Sequence, residues 1–384
     1  MASLDTFAKE RLARIEADGR LRQPRPTRPL GGAGALKNGR RLVSFSSNDY
    51  LGLREAPAVR AAAIEAIAEF GTGAGASYLV TGNHPLYARL ERQLADFKGT
   101  EDTCIFGSGY LANIGTIPTF VHTGDLLLVD ERCHACIMAA ARLSGSALHL
   151  FGHNDVEDLQ RKLRGQRGRF RHALVVTEGV FSMDGDRAPL AALSALTHEY
   201  DAWLMVDDAH GFGVLGGGRG STCADERRIA VDIQLGTLSK ALGSYGGFVC
   251  ASTPVVDLLR NRARSFIYST ALPPPSVAAA SAALDIIMRE VALTEQPLAK
   301  ARAFVRALGL REAQSPIVPL IVGPSQRALE VAACLEDDGF LVVPIRPPTV
   351  PEGSARLRVC FNAVHADADV VRLAESLRER RVLG

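Results

Sequence analysis

From about residue 41 the chain alternates between two hydrophobic rhythms. Short unbroken apolar runs, among them TCIF, DLLLVD, ALHLF, HALVVTEG and AWLMVDD, predict strands buried on both faces. Between them APAVRAAAIEAIAEF, HACIMAAARL, DVEDLQRKL and PLAALSALTHEY repeat apolar positions at helical spacing, and a further helix is expected from Tyr110. Such strands alternating with helices predict an α/β fold with a mainly parallel sheet covered on both faces, because parallel neighbours require crossover connections. The rhythm then changes. Two long helices, SVAAASAALDIIMRE and LTEQPLAKARAFVRAL, precede the runs IVPLIVG, LVVPIR and ARLRVCF and a last helix from Ala366. Three parts are therefore expected: an N-terminal arm and first strand over 1–50, a large α/β domain over 51–285 and a small α+β domain over 286–384. Order is expected to begin near residue 41, after a charged arm and the proline-rich connector RQPRPTRPLGG.

Composition narrows the class. The 384 residues are 47% hydrophobic and 22% charged, close to ordinary globular proteins, which disfavours disorder, collagen and coiled coil. A net charge of +2 gives no sign of a dedicated nucleic-acid surface or a polybasic membrane patch. No stretch approaches the ~18 apolar residues of a membrane span, and the N-terminus lacks the apolar core of a secretory signal, so a cytoplasmic enzyme is expected. Seven cysteines form an odd set that suits reduced thiols. Cys133 and Cys136 make a C-x-x-C without a second ligand pair, and a structural metal needs four ligands, so no metal is expected. Glycine is in excess, and half of the 36 glycines fall in residues 71–115 and 211–247.

Two segments carry chemistry. The run WLMVDDAHGFGVLG contains the spacing G-x-G-x-x-G at Gly211, Gly213 and Gly216. Four polar or small residues separate the strand from those glycines, and GGGRGST follows where a helix should open, so a dinucleotide site is disfavoured against a flexible glycine loop. Asp207, Asp208 and His210 at a strand end are the stronger signal, since ligands of open parallel sheets bind at the carboxyl ends of strands. IQLGTLSKALGSYGG sets Lys240 among Thr237, Ser239 and glycines, with no neighbouring acid. A lysine amine and a separate carboxylate are the chemical minimum for pyridoxal 5′-phosphate. Residue type alone leaves plainer readings open: His134 as a solvent-facing residue at a helix start, Ser182 as a turn hydroxyl, and Arg358 as a surface residue alternating with Arg356.

Over essentially its whole length the sequence resembles the α-oxoamine synthases, fold-type I pyridoxal-phosphate enzymes. The resemblance runs through FSSNDYLGL, TEGVFSMDGD, VDDAHGFGVLG, TLSKALGSYGG, IYSTALPP and IRPPTVPEGSARLRV. It implies an aspartate-aminotransferase-like fold with a sheet of the seven-stranded type, a homodimer with composite sites, and pyridoxal phosphate as cofactor. Lys240 is the implied Schiff-base lysine and base, Asp207 the partner of the pyridine nitrogen, and His134 the ring stacked on the cofactor. His210 and Ser182 are implied at its phenolic oxygen, with Gly109, Tyr110, Thr237 and Ser239 around its phosphate. Ser269 and Thr270 would reach a neighbouring subunit's phosphate. Asn48 and Arg358 are the implied clamp on the amino acid's carboxylate, with Arg22 and Thr349 on the acyl substrate.

SSNDYLGL together with IRPPTVP favours the branch of the family that serves biotin synthesis, in which L-alanine condenses with a pimeloyl thioester carried on coenzyme A or acyl carrier protein. Arg262 and Arg264 are candidates for meeting an acidic carrier. One departure stands out: Tyr78, in Ser77-Tyr78-Leu79-Val80, occupies a place where relatives often carry arginine. The rival readings are a sister synthase using glycine and a short acyl thioester, an NAD-dependent oxidoreductase built on GFGVLG, and a non-catalytic protein of the same fold.

Overall fold

The computed structural model describes residues 3–22, 24, 26–225 and 227–382. The chain divides into two compact units, one formed by residues 1–47 with 299–384 and the other by residues 48–298.

The N-terminal stretch corrects the expectation that order begins near residue 41. A helix spans Leu4–Ala17, capped by the Ser3 hydroxyl, which accepts the Thr6 N–H, and none of its side chains is buried. β1 (Thr27–Pro29), β2 (Gly34–Lys37) and β3 (Arg40–Ser44) follow as antiparallel neighbours. The turn between β2 and β3 is Asn38-Gly39, both at positive φ, and Lys37 pairs with Arg40 across it. A two-residue Asn-Gly loop of this hand matches the twist of a hairpin, which is why an otherwise polar segment holds a strand pair.

The unit of residues 48–298 is built on a seven-stranded sheet. Its strands are β4 (Asp102–Phe106), β5 (Leu126–Asp130), β6 (Ala147–Phe151), β7 (Ala173–Glu178), β8 (Trp203–Asp207), β9 (Ile233–Thr237) and β10 (Gly247–Ala251). They lie in the order β4-β10-β9-β8-β7-β5-β6, parallel from β9 to β6, with β10 antiparallel to both of its neighbours. β5, β7, β9 and β10 are buried along their whole length, as the unbroken apolar runs of the first two require. Leu127, Val175 and Met205 of the sheet join Ile137, Leu163 and Leu193 of the covering helices in one apolar cluster. Winding reverses between β5 and β7: the chain passes from β5 outward to β6, then back across to β7. Connections that diverge at such a point leave a crevice at the carboxyl ends of the strands.

The glycine-rich segment after β8 folds as turns, and no helix opens on GFGVLG. Its glycines answer to packing around Asp208, a buried carboxylate that accepts the Ser221 N–H (2.8 Å) and hydroxyl (2.6 Å) and faces Lys98 at 3.6 Å. A Cβ on Gly179, Gly211 or Gly220 would stand 2.3, 2.1 or 1.8 Å from an Asp208 oxygen.

In the other unit, β11 (Ile317–Gly323), β13 (Pro344–Ile345) and β14 (Ala355–Cys360) form a three-stranded antiparallel sheet, while β12 (Phe340–Leu341) pairs in parallel with β3. LVVPIR thus makes two short strands in different sheets. Phe45 stacks on His365 at 4.0 Å and meets Phe340 and Phe361 edge-on, which fixes the residues after β3 in this unit's core.

Gly220→Ala is expected to destabilise the protein by about 2–4 kcal/mol, through overpacking against Asp208 and a φ of +101°. Urea unfolding should show the shift, with Gly168→Ala, which meets nothing within 4 Å, as the control. An unchanged midpoint in Gly220→Ala would contradict the packing role.

Candidate active site

Parallel register sets two carboxylates side by side at the carboxyl edge of the sheet, because Glu178 ends β7 opposite Asp207 at the end of β8. Asp207 Oδ2 accepts from Asn113 Nδ2 at 2.8 Å and Oδ1 from the Ala209 N–H at 3.0 Å. Asn113 lies one turn into the helix Gly109–Phe120 and also donates to Gly109 O (3.1 Å). Glu178 accepts the backbone N–H groups of His134 and Ser182. Burial, and then the charge of Asp207, push its carboxyl well above the ordinary carboxylate range.

His134 caps the helix Ala135–Ser144. Its Nδ1 accepts from the Cys136 N–H (3.2 Å) and lies 2.9 Å from the Cys136 thiol. With Nδ1 used as an acceptor, the ring proton resides on Nε2. Desolvation holds this imidazole below its usual value, Asp207 opposes that effect and Lys240 adds to it, so His134 is a neutral Nε2–H donor near pH 7. Cys133 and Cys136 are buried thiols raised by desolvation, and among the described residues no group of His, Cys, Asp and Glu is arranged to hold a metal.

Lys240 lies in the loop between β9 and β10. Its Nζ is 2.8 Å from His210 Nε2, His210 Nδ1 is 2.7 Å from the fully buried Tyr50 hydroxyl, and that hydroxyl donates to Asn48 Oδ1 at 3.4 Å. One chain of hydrogen bonds thereby links Asn48, Tyr50, His210 and Lys240.

Beside it, Ser108 caps the helix Gly109–Phe120 by accepting the Leu111 N–H, and the N–H groups of a first helical turn have no intrahelical acceptor. Gly109 faces Thr237, whose hydroxyl donates to Gly246 O (2.8 Å), as does that of Ser239 (3.2 Å). The close approach is possible because Gly247 has no side chain: a Cβ there would stand 2.5 Å from Ser108 C and O and 2.6 Å from Gly109 N. Helix-start N–H groups beside hydroxyls suit a phosphate dianion. A fixed buried carboxylate suits a protonated ring nitrogen, and a lysine amine suits an aldehyde. The residues present fit pyridoxal phosphate.

The remaining expected site residues have the following surroundings. Ser269 is half-buried and Thr270 is exposed, and Thr270 bridges Ser77. Arg22, Thr349 and Arg358 belong to the unit of residues 1–47 and 299–384. Arg22 Nη2 donates to Thr349 Oγ1 at 3.2 Å, so these two come together. Arg358 is 8% exposed on β14, its Nη1 2.9 Å from Cys360 Sγ, and Arg356 is also buried, which removes the surface reading of both. Tyr78 packs against Tyr87 and Phe266 and donates to Glu91 Oε2 (3.3 Å), leaving Leu79 and Val80 exposed.

A family model for aminotransferase class I and II matches residues 40–377. The chain belongs to that family. It is 55% identical over 381 residues to a putative 8-amino-7-oxononanoate synthase of Parvibaculum lavamentivorans, covering 99% of this chain and 98% of that protein. It is 59% identical over 344 residues to the 8-amino-7-oxononanoate synthase of Methylocella silvestris, covering 90% and 98%. Among solved structures it is similar to serine palmitoyltransferase from S. paucimobilis with a bound PLP–myriocin aldimine, at a TM-score of 0.91 and 30% identity over 100% and 99% of the two chains. It is also similar to 8-amino-7-oxononanoate synthase from Francisella tularensis, at 0.73 and 25% over 88% and 97%. The chain is thus a pyridoxal-phosphate-dependent acyltransferase of the α-oxoamine synthase group. No helix among the described residues is long and apolar enough to cross a membrane.

Sequence reasoning missed Tyr50, Asn113 and Glu178 as members of this site. Asn113 had a local signal, lying four residues after Gly109 and hence on the same helix face. Tyr50 lies in FSSNDYLGL and Glu178 in TEGVFSMDGD, but only the fold shows what they touch.

Glu178 yields a pH prediction. A carboxyl raised in the folded state binds its proton more tightly there than when unfolded, so stability falls as pH rises from about 4.5 through the raised value. In the cofactor-free protein, unfolding free energy should decline between about pH 4.5 and 8, and Glu178→Gln should flatten that decline. Identical slopes in the two proteins would contradict a raised Glu178.

Proposed function

We propose that this acyltransferase condenses L-alanine with a pimeloyl thioester to give 8-amino-7-oxononanoate, carbon dioxide and the free thiol carrier. The observation that carries the reading is the near-full-length similarity, at 53–59% identity, to proteins named for this product. Pyridoxal phosphate, when bound, supplies an electron sink for negative charge at the α-carbon of the amino acid. In this reading Lys240 holds it covalently, Asp207 keeps its ring nitrogen protonated, and Ser182 and His210 take its phenolic oxygen. Gly109, Tyr110, Thr237 and Ser239 hold its phosphate, and Ser269 and Thr270 serve the site of a second copy in a homodimer.

The side chains divide the remaining work. Asn48 and Arg358 bind the carboxylate of alanine, the planar guanidinium being suited to bidentate contact. Lys240 takes the α-proton, and the His210 ring 2.8 Å away holds the amine in place for it. His134 presents Nε2–H to the thioester carbonyl oxygen as negative charge develops there, because its Nδ1 is already engaged by the helix it caps. Arg22 and Thr349, bonded to each other, act on the acyl substrate. Location in the cytoplasm accords with seven free thiols, five of them buried.

The competing reading is a sister synthase joining glycine to a short acyl thioester. Purified protein loaded with cofactor should be yellow, and its absorbance should respond to L-alanine rather than glycine; a response to glycine alone would overturn the alanine assignment. Lys240→Ala should lose the bound-lysine absorbance and about a thousandfold or more of turnover. Full activity in that variant would sink the lysine's role. Turnover of pimeloyl-CoA against pimeloyl acyl carrier protein identifies the carrier, and preference for the latter should fall on replacing the exposed Arg262 and Arg264.

A further inference from the structure

A second cluster of ionisable groups lies at the carboxyl edge of the sheet, on the loops that follow β5, β6 and β7. His153, just past β6, is bonded at both ring nitrogens: Nδ1 to Asp130 Oδ1 at 3.1 Å and Nε2 to Asp186 Oδ2 at 2.7 Å. A neutral imidazole has one N–H and can donate to only one carboxylate, whereas the imidazolium donates to both. The ring is largely enclosed, with 12% of the side chain exposed, and stands edge-on to Phe181 at 4.4 Å.

Each carboxylate shapes a turn. Asp130 ends β5; its carboxylate also accepts the N–H groups of Arg132 (2.9 Å) and Asn154 (2.8 Å), and its carbonyl accepts the Cys133 N–H (3.1 Å). That turn delivers His134 to its capping position. Asp186 closes the turn after β7, accepting the Phe181 N–H at its carbonyl (3.0 Å) and Asn154 Nδ2 at its carboxylate (3.0 Å). That turn carries Ser182. Asn154 adopts a φ of +57°, a conformation its contacts with Asp130 and Asp186 hold in place. The other charged groups nearby are Glu131, whose Oε1 accepts the backbone N–H of His153 (3.3 Å), Arg132 with Asp184 (3.3 Å) and Arg187, whose carbonyl accepts from Asn154 (3.3 Å).

We propose that His153 is a positioning residue that, as a doubly bonded imidazolium, ties the turn carrying His134 to the turn carrying Ser182 and so sets where the His134 imidazole stands. The proposal rests on the reading of His134 as a member of the active site. The charge state agrees with the geometry: desolvation lowers the His153 value, but the bonds and charges of Asp130 and Asp186 outweigh it and raise it to about 9. Since the folded value lies above the unfolded one, the tie is complete below about pH 6.5 and is lost as pH rises through about 9.

The test uses imidazole 1H–15N spectra of the cofactor-free protein with a kinetic cycle on the loaded enzyme. At pH 7.5 His153 should show both nitrogens protonated. In His153→Gln, the His134 titration midpoint should move up toward the ordinary ~6.5 as the desolvation of its ring is relieved. Asp186→Asn, which keeps the shape and removes one charge, should do the same to a smaller extent and serves if His153→Gln fails to fold. Turnover should fall about tenfold on His153→Gln in the native background and less than about twofold in a His134→Ala background. A single protonated nitrogen on His153, an unmoved His134 midpoint in both variants, or equal losses in the two backgrounds would each overturn the proposal. A fully active His134→Ala protein would strike the assignment of His134 itself, and the spectra decide the tie independently of that result.

Discussion

The site depends on one constraint: carboxylates placed where buried parallel strands end must be supplied with hydrogen-bond partners, because the sheet offers them no water. Asp207, Asp208 and Glu178 are each under 9% exposed, and each recruits a different part of the chain. Asp208 draws in Lys98 and Ser221 and forces glycines around itself. Asp207 is satisfied by Asn113 and a backbone N–H. Glu178 is held by the N–H groups of His134 and Ser182, at the cost of a carboxyl that resists ionisation. Satisfying these three groups brings the segments after β4, β5, β7 and β8 together, and with them Asn113, His134, Ser182 and Asp208.

Strand and helix were legible wherever burial was two-sided or periodic. TCIF, LLLV, ALVV and WLMV fall within β4, β5, β7 and β8, and the parallel sheet followed from their lack of alternation. β10 was less visible, since GFVCA follows a glycine-rich motif and its antiparallel direction cannot be read from composition. The N-terminal hairpin was missed because its strands are largely polar or exposed, although Asn38-Gly39 carried a turn signal. The glycines divide their duties in the fold: Gly247 admits a helix start, while Gly179, Gly211 and Gly220 make room for a carboxylate.

Chemistry was legible where a residue type is unusual for its surroundings, as Lys240 is among glycines and hydroxyls. It was not legible where the meaning lies in a partner far along the chain. Tyr50 and His210 are 160 residues apart, and Asn113 and Asp207 are 94 apart. No spacing rule reaches such distances, and only strand order turns them into neighbours. His153 shows the same limit, since the two carboxylates that close on it come from other loops.

The single reversed strand has a geometric consequence for the lysine. Because β10 returns beside β9, with Thr237 registered against Gly247, the nine residues between them form a closed ring of backbone rather than an open crossover. The ring is stitched internally by Leu238 N–H to Gly246 O, Ser244 N–H to Leu238 O and Gly243 N–H to Lys240 O. Its circumference is therefore a ruler: residue count, not side-chain flexibility, determines where the root of Lys240 stands. Strand register, a property of the deepest part of the sheet, is in this way converted into the position of a single side-chain amine.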